Sequence, residues 1–140
     1  MKNYTEKELH SLIARFEAKV LPKVEWTHEA HLAVAIWYCS TYDFTTAKNL
    51  VRKYISAHNV AVGTGNTDED GYHETITLCW LIIAKQFLTS VPNMTVINAC
   101  NTFINNDISN SEFLLNYYSK ALLFSVDARH YWKEPDLKPL

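Results

Sequence analysis

Glycine and proline are scarce in this chain. Three glycines and four prolines among 140 residues are too few for a fold made of long irregular segments, and helices are favoured. Strand signals are missing too. The one extended-looking stretch, Val91-Pro92-Asn93-Met94-Thr95-Val96, carries a proline that a central strand does not tolerate. There is no basic run interleaved with aromatics, and the formal net charge is -2 with a pI near 6.3. Nucleic-acid binding is therefore disfavoured, because phosphate neutralisation supplies most of that affinity. No apolar run approaches the roughly 20 residues of a membrane span, and MKNYTEKELH lacks the apolar region of a secretory signal. Neither a GxSxG serine elbow nor a phosphate loop occurs: Gly63-Thr64-Gly65 follows no strand and is not completed by GK[ST]. The cysteines, Cys39, Cys79 and Cys100, are odd in number, widely spaced and set among apolar residues. They read as reduced core thiols of a cytosolic protein, which argues against a disulfide frame.

What is present is helical periodicity. Hydrophobic residues make up 48% of the chain, enough for the core of one all-α domain over residues 1–140. The first helix is expected over residues 5–20, with Thr5 and Glu8 at capping-box spacing and Leu9, Leu12, Ile13, Phe16 and Val20 on one face. The second, over residues 27–41, starts at the N-cap Thr27 and is apolar on most sides, as a central helix is. A third begins near Asp43 or Thr45 and ends near Val62, with Arg52 and Lys53 off its apolar stripe and solvated. Residues 63–71 form a loop holding all three glycines, a shaped loop or a mobile lid. Further helices are expected over residues 73–89, 94–104 and 120–126, with a short apolar element at 112–115 and an extended Pro-rich tail. The expectation is a single-domain bundle of about five to six helices with short, antiparallel connections.

The histidines fall at helix starts. His28 and His31 lie three residues apart in Trp26-Thr27-His28-Glu29-Ala30-His31, and His73-Glu74 follows Gly71-Tyr72. In an up-and-down bundle, the starts of the second and fourth helices and the end of the third meet at one end. Two imidazoles on one helical turn and one from a neighbour suit a three-histidine metal site: His28, His31 and His73, holding zinc or another divalent transition metal. Metal-bound water would serve as nucleophile, with Glu74 or Glu29 as general base. Glu25 precedes His28 at Glu-x-x-His spacing, a weaker pattern. A second reading needs no metal. The positive ends of two helices, with His28, His31, His73 and Asn59, would bind a carboxylate or phosphate, walled by Tyr72, Trp26 and Tyr118. The bland reading makes these histidines caps and packing groups. His10 reads as solvated, His130 as structural or exposed, and His58 as a helix-end histidine favoured by the dipole. Arg129 is either a carboxylate clamp or the ion-pair partner of Asp127, Glu134 or Asp136.

The stretches WTHEAHLAVAIWY, GTGNTDEDGYHETITLCW and YYSKALLFSVDARHYWKEPDLKPL together resemble a small bacterial family of uncharacterised proteins over nearly the full chain. The resemblance implies a standalone protein and no particular substrate. It groups His28, His31, Asn66, His73, Glu74, Tyr118, Ser119 and Arg129. The candidate ligand-binding residues are thus Asn59, Asn66, Tyr72, Tyr118 and Arg129, beside the metal set and the base Glu74. Three functions stay open: a metal-binding protein or metal-dependent hydrolytic enzyme, a non-catalytic binder of an acidic small molecule, and a structural or partner-binding module. A small-molecule ligand is the expected partner, and a homo-oligomer is left open.

Overall fold

A computed structural model describes residues 2–140. These residues form seven α-helices and contain no strand: α1 (Glu6–Glu17), α2 (His28–Thr41), α3 (Phe44–Ala61), α4 (Glu74–Ser90), α5 (Val96–Ile104), α6 (Lys120–Leu123) and α7 (Val126–His130). Single 3-10 turns at Lys23–Glu25, Asp107–Ser109 and Phe113–Asn116 connect them. The fold is the expected all-α bundle. None of the described helices is long and apolar enough to cross a membrane.

Caps explain most of the boundaries. Thr5 and Glu8 form the expected capping box, and Thr27, Asp43, Thr95, Ser119 and Ser125 each accept a hydrogen bond from the backbone N–H three residues on. α1 stops at Glu17, three residues short of expectation. Lys19 takes a left-handed φ of 63°, and the N–H groups of Val20 and Leu21 turn back to the Arg15 carbonyl. The expected helix over residues 120–126 is divided, because the Ser125 side chain caps a new helix, α7.

α2 is the central element. Its Ala30, Leu32, Ala33, Val34, Ala35, Ile36 and Tyr38 are all buried, and it packs against α3, α4 and α5. α1 covers one side with Leu9, Leu12, Ile13 and Phe16. Phe16 is fully buried and stacks on Trp26 at 4.8 Å, with Tyr54 edge-on at 6.1 Å. Burial of a side chain this size stabilises by roughly 1.5–3 kcal/mol. The buried Tyr38 hydroxyl donates to the Glu17 carboxylate, which ties α2 to α1. The tail is extended, as expected. Tyr118, fully buried, donates its hydroxyl to the Lys133 carbonyl at 2.6 Å, and the Leu137 N–H bonds the Tyr117 carbonyl.

Candidate functional site

The sequence-predicted histidines separate into three surroundings, with His28 set against Ser109 and Trp80. At the start of α2, the His31 ring stacks on Trp26 at 3.7 Å, and Trp26 also meets His58 edge-on at 5.3 Å. The start of α2 and the end of α3 therefore do converge. His73 lies elsewhere. It bonds the Leu123 carbonyl of α6, and Arg129 and His130 of α7 are near it.

Each imidazole is held by a backbone carbonyl. His28 Nε2 donates to Ser109 O at 2.7 Å, His31 Nδ1 to Thr27 O at 2.7 Å and His58 Nε2 to Leu21 O at 2.8 Å. A carbonyl bond of this kind also orients metal-ligating imidazoles. The second requirement, convergence of the remaining nitrogens, is not met. Among the described residues no group of three or more His, Cys, Asp or Glu side chains is arranged to hold a metal ion. His73 is committed at both nitrogens: Nε2 donates to Leu123 O at 2.8 Å, and Nδ1 accepts from the Ile76 N–H at 3.1 Å. It is the N-cap of α4. The expected His28–His31–His73 ligand set is therefore not assembled, because the His73 ring faces α6 and spends both nitrogens on the backbone. Burial lowers the His73 pKa and drives that of His31 down to about 4, so both rings are neutral near pH 7.

Glu74 is not placed as a free base. Arg52 grips it with two bonds, Nε to Oε1 at 3.0 Å and Nη2 to Oε2 at 2.5 Å, and the Tyr72 hydroxyl donates to Oε1 at 2.6 Å. Partial burial pushes the Glu74 carboxyl up, but the bonds from Arg52 and Tyr72 and the guanidinium charge outweigh it, and the net shift is downward. A carboxylate held this low and this tightly is a poor proton acceptor. Arg52, expected to be solvated, is half-buried in this pair.

The candidate ligand-binding residues shape the glycine loop. The Asn66 side chain accepts from Asn59 Nδ2 at 3.2 Å and from the Tyr72 N–H at 3.0 Å, and donates to Ser56 O at 3.0 Å. Arg129 is held by the backbone of the glycine loop. Its Nη1 donates to the carbonyls of Gly71 and Tyr72, at 3.1 and 3.4 Å, and it pairs with none of Asp127, Glu134 and Asp136. Asp136 instead accepts from the Ser119 N–H and hydroxyl, while His130 pairs with Asp68 across the loop at 2.7 Å. Tyr118 belongs to the core. Asn59, Asn66 and Arg129 thus bond within the glycine loop and its surroundings. The thiols are also inert, since burial raises Cys79 to about 11 and Cys39 and Cys100 to about 12.

A wide groove opens beside the start of α2, where the sequence singles out Glu25 and Glu29 only as companions of His28. A groove of about 720 Å³ runs between α1 and the segment leading into α2. Lys7, Ser11 and Arg15, one helical turn apart, line one wall, and Glu25, Thr27 and Glu29 line the other. The N-terminal arm closes one end with Lys2 and Tyr4. It is anchored: Tyr4 exchanges two backbone bonds with the Asn101 side chain, at 2.7 and 2.8 Å, and Asn105 Nδ2 donates to Lys2 O. The Arg15–Glu25 ion pair, 3.0 Å, spans the groove. The i, i+4, i+8 polar stripe of α1 was visible in the sequence, but it reads equally as a solvated face. Compared with protein-family models, curated proteins and solved structures, the chain gives no match.

Proposed function

We propose that this chain is a non-catalytic small-molecule-binding protein whose ligand occupies the groove between α1 and the start of α2. The observation that carries this reading is the groove itself: about 720 Å³ of space, within the roughly 300–1,000 Å³ of ligand pockets. Lys7 and Glu29 line it without an ion pair or side-chain hydrogen bond to any described residue. Unspent charges on an anchored wall are available to a ligand. The residues that acid–base chemistry would need, His73 and Glu74, are occupied by backbone and guanidinium partners. The acidic-ligand expectation changes accordingly, since three carboxylates line this groove.

The test is a thermal-shift screen of small charged compounds against the wild type and Ser11→Trp. Ser11 is exposed on the α1 wall, so an indole there fills the groove without disturbing the core. The reading expects compounds that raise the melting temperature of the wild type and leave the equally helical variant unmoved. Compounds that stabilise both proteins alike would place the ligand elsewhere, and a screen without any stabilising compound would remove the reading.

A further inference from the structure

The groove lining is balanced in charge: Lys2, Lys7 and Arg15 line it together with Glu8, Glu25 and Glu29. One pair is already spent, because Arg15 and Glu25 neutralise each other. Glu8 gives one oxygen to the Thr5 N–H as part of the capping box. Lys2 rests its ammonium over the Tyr4 ring, 4.6 Å from the centroid, and Lys7 and Glu29 have no charged partner among the described residues. What remains is two ammonium groups and two carboxylates around one cavity.

Such a lining discriminates by sign. A simple carboxylic acid gains from Lys7 and Lys2 but is repelled by Glu8 and Glu29. A simple amine meets the reverse. An uncharged molecule removes water from all four groups and compensates none of them. A molecule carrying both charges satisfies both sets.

We infer that the groove binds a zwitterionic small molecule, with its ammonium toward Glu29 and Glu8 and its carboxylate toward Lys7 and Lys2. The inference rests on the groove being the ligand site, and it names the class of ligand. Association is salt-sensitive, because these groups are open to solvent.

The experiment is an NMR titration of the isotopically labelled full chain at low salt. The probes are the zwitterions glycine, γ-aminobutyrate and ε-aminocaproate, with caproate and hexylamine as singly charged controls. At least one zwitterion is expected to shift amides lining the groove and to bind at least tenfold more tightly than either control. Glu29→Gln is expected to weaken that zwitterion about tenfold while leaving caproate no weaker, and Lys7→Gln to weaken it without weakening hexylamine; tenfold is the size of one modest charged contact. Equal binding of caproate and the zwitterions would overturn the inference and leave the groove as a site for acids. Equal binding of hexylamine would overturn it in favour of amines. If no probe moves the groove amides, both the inference and the proposed function fall.

Discussion

Replacing His73 by alanine should destabilise the protein by about 3 kcal/mol. The figure follows from two bonds. Nδ1 accepts from the Ile76 N–H at the start of α4, and loss of a side-chain N-cap costs about 1 kcal/mol. Nε2 donates to Leu123 O inside the protein at 2.8 Å. Removing that donor leaves a buried carbonyl unpaired, at about 1–3 kcal/mol. For a chain of this size, 3 kcal/mol corresponds to a fall of about 10 °C in melting temperature. His73→Asn restores the cap acceptor but does not reach α6, so it should recover about 1 kcal/mol of the loss. Urea denaturation at pH 7.5, followed by circular dichroism, measures all three proteins. An alanine variant within about 0.5 kcal/mol of the wild type would refute the assignment of His73 as a structural cap. Asparagine no better than alanine would refute the role of Nδ1.

The glycine loop and acid pH provide two more tests. Gly71 has φ 86°, and a Cβ there would collide with the Gly65 carbonyl and the Asn66 amide, whereas at Gly63, φ 82°, the added carbon meets nothing within 4 Å. Gly71→Ala should therefore cost more than about 2 kcal/mol and Gly63→Ala about 1 kcal/mol; similar costs in chemical denaturation would contradict the packing of the loop around Asn66. Burial lowers the folded-state pKa of both His31 and His73 from 6.5, that of His31 to about 4. The unfolded chain thus takes up their protons first as pH falls. Their contribution is complete above pH 6.5 and falls as the pH drops below it, that of His31 being lost toward pH 4, with a slope of at most about 1.4 kcal/mol per pH unit for each histidine. Denaturation midpoints that stay flat between pH 7 and 4.5, or a slope unchanged in His31→Gln, would contradict the burial of these rings.

The bundle was legible because its signals are local. The all-round apolar pattern of α2 marked the central helix, and Thr5 with Glu8, three residues apart, marked the start of α1. The end of α1 was not legible, since the left-handed turn falls on Lys19 rather than on a glycine or asparagine. The separation of the three-histidine set was not legible for a similar reason. A helix start fixes where a histidine sits, but what its ring does depends on which way it faces. His73 faces Leu123, 50 residues away, and His28 faces Ser109, 81 residues away. Glu74 is claimed by Arg52, a residue that periodicity alone placed in solvent. The groove escaped notice because its closing wall depends on the Tyr4–Asn101 bonds, which join residues 97 apart. No spacing rule within one helix reports a cavity of that origin.

The central claim is that ligand binding belongs to the α1–α2 groove and not to the surroundings of the glycine loop. A map of backbone amide shifts on adding a pool of small charged compounds tests it most directly. The account predicts perturbations centred on the groove, at residues 7–15 and 24–29. Perturbations centred instead on Asn66, His73, Glu74 and Arg129 would contradict it and return function to the glycine loop and the start of α4.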